Sequence, residues 1–309
     1  MSKALPRLIC YTGSGRSDEV NWYERMNKAI DHIEEHLYDR PDWEEIAKMT
    51  GQSPVNFQRT FSVVADISVF EYIRRRRLTL AAFALQNGNE KVIDVALAHG
   101  YDSPEAFARA FRDMHGMTPS QARQGGLPLK AFPRITFLLS VKGATAMDYR
   151  IETKGSFSVY GIEGIFTTED DKNTRDIPRF WADCVENQSY FQLIRSTGEP
   201  LNPIHAICDY RQTGGNTFPY MIFAYRTEKC NATGYTEVEI PAATWAIFKS
   251  EPYDIGQVSK ATQDLIRRVY TDWLPTAPYQ KIDGYELELY LSAAVDKCYS
   301  EVWVRVEPK

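Results

Sequence analysis

Two short segments fifty residues apart repeat a set of residue types suited to reading hydrogen-bonding edges. SPVNFQRTF (residues 53–61) and SPEAFARAF (residues 103–111) share Ser, Pro, Phe, Arg and Phe at the same offsets. In each, the serine can cap a helix, the proline fits its first turn, and phenylalanines four apart mark the face turned to a core. The outward positions are then Val55, Asn56, Gln58 and Arg59 in the first copy, and Glu105, Ala106, Ala108 and Arg109 in the second. Arginine presents two parallel donors that match guanine O6 and N7, glutamine pairs with adenine N6 and N7, and glutamate accepts from cytosine N4. Gln58, Arg59 and Arg109 are therefore the expected base readers, with Glu105 beside them. A second chemistry gathers near the C-terminus. In YELELYLS, strand alternation sets Glu286, Glu288 and Tyr290 on one face and Leu287, Leu289 and Leu291 on the other. A carboxylate among aromatic rings attracts a delocalised organic cation, each ring adding about 0.5 to 2 kcal/mol. Glu288 and Tyr290 belong to that set, and Trp181, Tyr210, Tyr225 and Trp245 are further aromatic candidates for it. The expected arrangement turns the leucine row to the helices and the polar row to a cleft.

Other constellations are weaker. His32-Ile33-Glu34-Glu35-His36 fits a zinc-peptidase spacing, yet it lies on an amphipathic helix among charges and reads as a solvated face. Gly13-Ser14-Gly15 is followed by no Gly-Lys-Ser/Thr, so it is no phosphate loop. A Ser/His/Asp arrangement is not suggested, because His205 is the one histidine after residue 126. The five cysteines are far apart and never CxxC, which fits reduced thiols in the cytoplasm. Neither a metal nor a cofactor is expected.

The charge distribution separates the two chemistries. Over 309 residues the net charge is −5, but residues 53–126 hold 9 Lys+Arg against 7 Asp+Glu, and residues 145–309 hold 17 against 24. An acidic, aromatic-rich C-terminal half suits a cationic ligand. No apolar run approaches the length of a membrane span. Residues 1–20 read as a disordered lead-in.

The elements that position these residues follow from periodicity. Apolar residues at Trp22, Met26, Ile30, Ile33 and Leu37 make one amphipathic helix, and Asp42 caps the next, WEEIAKM. Helix, glycine turn, helix then recurs around His99-Gly100-Tyr101-Asp102. Residues 68–86 form one long helix holding the two units at fixed spacing. It carries Arg74 to Arg77, of which Arg75 is the candidate for a phosphate and the others for pairing with Glu71 or solvent. Residues 127–144 read as a linker with a short strand at 135–141. Beyond it, the order strand, helix, strand, strand occurs twice, with helices at 177–195 and 256–273, which predicts two pseudo-symmetric halves with a cleft between them. The fold class is multidomain: an all-α double helix-turn-helix domain over residues 21–126, then an α+β domain of two β-α-β-β halves over residues 145–309.

The quoted segments resemble known families. WEEIAKMTGQSPVNFQRTF, EYIRRRRLTLAAFAL and VIDVALAHGYDSPEAFARAFRDMHGMTPSQAR look like the DNA-binding domain of AraC/XylS transcriptional regulators, whose second-unit ending is matched by Phe107, Arg109, Phe111, Gly116, Thr118, Pro119 and Arg123. The chain departs from several members at Val55, where they carry Trp, and at Ala106, where they carry a polar residue. IPAATWAIF, DGYELELYL and SEVWVRVEP resemble the GyrI-like effector-binding domain, departing from many relatives at residues 249–253 after the Trp-containing strand. The combined order is similar to Rob-type multidrug-responsive activators. The resemblance implies a cytoplasmic transcriptional regulator that binds double-stranded DNA, senses a small lipophilic, aromatic cation at Glu288 and Tyr290, and engages RNA polymerase. It implies no enzyme and no membrane partner. The alternative is a sequestering or hydrolytic GyrI-like protein that uses the cleft glutamate with a tyrosine as an acid/base pair.

Overall fold

The computed structural model describes residues 22–124, 127–138, 146–199, 203–294 and 296–309. The expected lead-in and Gly13-Ser14-Gly15 lie outside them. Helix α1 (Trp22–Glu35) buries Trp22, Met26, Ala29, Ile30 and Ile33. Asp42 accepts from the backbone N–H groups of Glu44 and Glu45 at 3.1 Å and starts α2 (Trp43–Thr50). Gly51 ends it in the left-handed region, at φ 70°, where a Cβ would be strained. Ser53 caps α3 (Pro54–Ala65) by accepting from Asn56 N–H. The long α4 (Val69–Asn87) and α5 (Val92–Ala98) follow. Ser103 caps α6 (Pro104–His115) as Ser53 caps α3, and a Thr118/Gln121 capping box opens α7 (Pro119–Arg123).

Each repeat has its own core, and α4 serves both. Phe57 and Phe61 pack with Met26, Ile30, Val69, Tyr72 and Ile73. Phe107 and Phe111 pack with Leu78, Ala81, Leu85, Val95 and Ala122. The arginine run of α4 lies between these two apolar stretches and is mostly structural. Arg74 and Arg75 pair with Glu71, and Arg75 also lies over the Phe132 ring at 4.7 Å. Arg76 grips Glu34 with two bonds of 2.8 Å. Arg77 donates to the carbonyls of Leu37, Asp39 and Gly100 at 2.6, 2.9 and 3.2 Å, closing the end of α1 against the second turn.

Residues 127–138 of the region read as a linker are tied to the helices. Residues 135–138 form no strand, and the rest of the strand expected at 135–141 lies outside the described residues. Phe137 is buried, its N–H donating to Asn27 Oδ1 and its carbonyl accepting from Asn27 Nδ2, both at 2.8 Å. Its apolar residues have a hydrophobic surface to cover, and that surface is α1 rather than a partner strand.

The C-terminal region is one antiparallel sheet with helices on one side. Its elements are β1 (Asp148–Lys154), β2 (Phe157–Thr167), α8 (Lys172–Glu186), α9 (Ser189–Ser196), β3 (His205–Cys208), β4 (Thr217–Tyr225), β5 (Thr236–Ile240), β6 (Ala243–Lys249), β7 (Tyr253–Asp254), α10 (Val258–Arg268), β8 (Tyr279–Lys281), β9 (Glu286–Ala294) and β10 (Lys297–Pro308). A π turn, Val269–Trp273, extends α10. The strand order is β1-β6-β10-β9-β3-β4-β2-β5, with β7 and β8 on β10. The order reads as two mirrored halves, each completed by an edge strand preceding the other half's first strand. The halves meet at β3 and β9, through Ala206↔Glu288, Ile207↔Leu287 and Cys208↔Glu286. Three expected elements are each broken in two. The helix at 177–195 breaks where Gln188 turns left-handed at φ 68°, the strand expected over EVEIPAATWAIFKSE (residues 237–251) breaks at Pro241, and the helix at 256–273 changes to a π turn.

The leucine row is corrected. Leu287 and Leu289 meet Trp245, Trp303, Ile207, Met221, Phe223 and Tyr210 on the face opposite the helices, and no helical residue joins that cluster among the described residues. These large side chains cover one another, so that face forms a core of its own. The polar row, Glu286, Glu288 and Tyr290, is turned to the helix side.

Candidate functional site

On the helix side of the sheet, β9 runs along the seam between a cluster built by α8 and α9 and another built by α10. Strand alternation presents Glu288 and Tyr290 there, and the Tyr290 hydroxyl donates to Glu288 Oε2 at 2.6 Å. Trp181, from α8, stands edge-on to Tyr290 with ring centroids 5.8 Å apart and donates its indole N–H to the Tyr220 hydroxyl at 2.9 Å. Burial pushes the Glu288 carboxyl up, against the lowering effect of the Tyr290 hydrogen bond. A carboxylate desolvated among Trp and Tyr rings can hold an aromatic cation by charge and by ring faces together.

Glu286 holds the stronger charge. It accepts from Tyr270 at 2.6 Å, from Lys281 Nζ at 2.9 Å and from Arg59 Nη2 at 2.9 Å. Burial alone would raise its carboxyl, but the Lys281 and Arg59 cations hold it well below the usual carboxylate range. Asp209 borders this group, at a left-handed φ of 56°. The sequence reading placed Glu286 on the correct face without giving it a role. Lys281, Tyr270 and Asp209 carried no motif that would have singled them out, because their approach depends on how the loops fold over β9.

The three remaining aromatic candidates are not in this group. Tyr210 donates to Glu163, Tyr225 stands edge-on to His205 at 5.5 Å, and Trp245 is fully buried beside Trp303 at 5.9 Å. All three lie on the leucine face. His205 is 2% exposed there, and its Nδ1 accepts from the Tyr290 backbone N–H at 3.2 Å. Burial lowers its pKa from 6.5 to about 4, so the ring is neutral in the folded chain. Between those values the unfolded chain binds the extra proton, so stability should fall with pH from about 6.5 to 4, by on the order of 3 kcal/mol. Urea titrations of the wild type and His205→Phe over that range test this. An equally steep loss in the variant would assign the acid sensitivity elsewhere.

The two repeat helices sit very differently. On α6, Glu105, Ala106 and Arg109 are exposed. On α3 the corresponding residues, expected to face outward, are covered by the sheet domain. Val55 packs in the cluster of Trp181, Phe180 and Tyr290, and Val63 and Val64 pack against the α10 cluster. Asn56 Nδ2 donates to Asp209 at 2.8 Å and its Oδ1 accepts from Lys281 at 3.2 Å. Gln58 Nε2 donates to Asn216 at 2.8 Å, while Gln58 Oε1 accepts from Thr168. The spacing identified the outward face of α3 but not the second domain resting on it. The ring centroids of His32, on α1, and His36, just past its end, are 4.3 Å apart with Glu45 near His32, and no group of metal-ligating side chains occurs among the described residues. No helix among the described residues is long and apolar enough to cross a membrane.

Comparison with known proteins places both halves. A family described as a helix-turn-helix domain matches residues 46–125, and the family of the integron-associated effector binding protein matches residues 150–306, just over half of the chain. The transcriptional activator AarP of Providencia stuartii is 40% identical over 98 residues, which cover 32% of this chain and 73% of AarP. The chain belongs to the AraC-type regulators that carry a GyrI-like effector-binding domain. The HTH-type transcriptional regulator YbfP of Bacillus subtilis is 39% identical over 103 residues, 33% of this chain, and the match spans about a third (35%) of YbfP. The structure of SAV2435 bound to tetraphenylphosphonium aligns over 52% of this chain and 94% of its own, with 16% identity and a TM-score of 0.42. In this AraC-type regulator, then, α3 and α6 lie within the DNA-binding domain, and the seam at β9 belongs to the effector-binding domain.

Proposed function

We propose that this regulator reads two adjacent major grooves of duplex DNA through α3 and α6 and responds to a small lipophilic, aromatic cation held at Glu288. Glu105, Ala106 and Arg109 read one groove; Val55, Asn56, Gln58 and Arg59 read the other; RNA polymerase in the cytoplasm is the further partner. The observation that carries the reading is the Glu288, Tyr290, Trp181 and Tyr220 cluster on the seam, on the same chain as an exposed, arginine-bearing α6. A half-buried carboxylate with aromatic walls favours a cation whose charge is spread over rings, because such a cation loses little hydration on entry.

The test is selection of bound duplexes from a random library by the full chain at two salt concentrations. The expected product is a site with two halves about one helical turn apart, bound more weakly as salt rises. Failure to enrich any site, with and without tetraphenylphosphonium present, would remove the DNA half of the reading. A hydrolytic use of the cleft rests on one observation, the 2.6 Å bond between Tyr290 and Glu288, which is the geometry of an acid/base pair. Ester turnover by the wild type that disappears in Glu288→Gln would replace sensing with hydrolysis.

A further inference from the structure

The first DNA-reading helix occupies the cleft that the second domain offers to a cation. The Arg59 guanidinium bonds Glu286 at 2.9 Å and lies 5.1 Å over the Phe218 ring, a planar delocalised cation on a carboxylate and an aromatic face. Glu286 and Glu288 are neighbours on the same face of β9, so Arg59 stands at the edge of the site proposed for the effector. Acidic groups continue along the helix. Asp209 accepts from Asn56, and Asp283 accepts from the backbone N–H of Ser53, at the positive N-terminal end of α3. At the flanks, Asn216 holds Gln58, and Arg267 of α10 pairs with Asp66 just beyond α3.

This seating is incompatible with reading bases. Val55, Asn56 and Gln58 are buried, whereas on α6 Glu105 and Ala106, the equivalents of Val55 and Asn56, are exposed and Ala108 is only half-buried. It is also incompletely satisfied, since Arg59 Nη1 is buried with no hydrogen-bond partner. A buried donor left unpaired weakens the docked state against any occupant that leaves none.

We propose that the resting chain is self-inhibited, with α3 docked in the effector cleft and Arg59 as its intramolecular cation, and that a small aromatic cation acts by displacing it, freeing α3 for the second DNA half-site. The identity of the effector rests on the reading given under Proposed function; the docking of α3 does not. Displacement makes effector and two-site DNA favour the same state, so each tightens binding of the other by the same factor.

The experiment compares the full-length wild type with Asn216→Ala/Arg267→Ala, which removes two flanking contacts and leaves the β9 carboxylates and the DNA-reading residues intact. Affinity for the two-half-site duplex is measured with and without tetraphenylphosphonium, alongside hydrogen exchange of backbone amides 56–62. The double variant should bind the duplex about tenfold tighter than wild type with no cation present, and tetraphenylphosphonium should tighten wild type about tenfold but the variant much less. The amides of α3 should lose protection in wild type on adding the cation. Equal duplex affinities for wild type and variant, with equal exchange in α3, would overturn the docking. Calorimetric binding of tetraphenylphosphonium that changes neither α3 exchange nor duplex affinity would overturn displacement while sparing the cation site. No heat of binding, with the variant still tighter on DNA, would uphold the docking and refute the effector class.

Discussion

Glu288→Gln should weaken binding of tetraphenylphosphonium to the full chain by at least about thirty-fold, some 2 kcal/mol. The substitution keeps a side-chain oxygen that can accept from Tyr290, so it removes the charge with little change of shape. The loss is large because the carboxylate is half-buried beside Trp181, Tyr220 and Tyr290, where burial already disfavours its charge unless a cation pairs with it. A pH dependence accompanies it. Burial raises the Glu288 carboxyl, so the group is still partly neutral above the ordinary carboxylate range, and affinity for the cation should climb as pH rises through that raised value. Calorimetry across pH should show the climb in wild type and not in the variant. A variant that binds within threefold of wild type at every pH would exclude Glu288 as the cation's partner.

Arg109→Ala should cost about 1 to 3 kcal/mol on a selected site, five- to 150-fold in affinity, and relax preference at the base pair it reads. Arg109 is exposed on α6, beyond the buried Phe107 and Phe111, and its removal leaves the core of the second repeat untouched. The slope of affinity against salt separates base reading from phosphate contact. A base-reading arginine changes sequence preference with little change in slope, and a phosphate-binding one does the reverse. Repeating the selection with the variant distinguishes them, and an unaltered enriched sequence would remove Arg109 from the base-reading set.

Much of the DNA-binding domain was legible because its signals are local. Caps at Asp42, Ser53 and Ser103 and phenylalanines four apart act within one or two helical turns, and all appear where the spacing put them. The arginines of α4 were less legible. Whether Arg76 meets a phosphate or Glu34 depends on a residue 42 positions away. Strand alternation likewise assigned Glu288 and Leu287 to opposite faces correctly, but alternation carries no sign, and the structure turned the glutamates toward the helices.

The sequence alone determined the two repeats, through residue types shared at the same offsets, and the duplicated order of elements and the grouping of Glu286, Glu288 and Tyr290, through periods of 3.6 or 2 along the chain. Tertiary structure alone decided that Tyr210, Tyr225 and Trp245 stand behind the sheet, that Lys281 and Tyr270 complete the Glu286 site, and that α3 lies in the cleft while α6 faces solvent. Those outcomes rest on contacts such as Arg59 with Glu286, 227 residues apart, and no local period encodes which of two equivalent helices a distant carboxylate will hold.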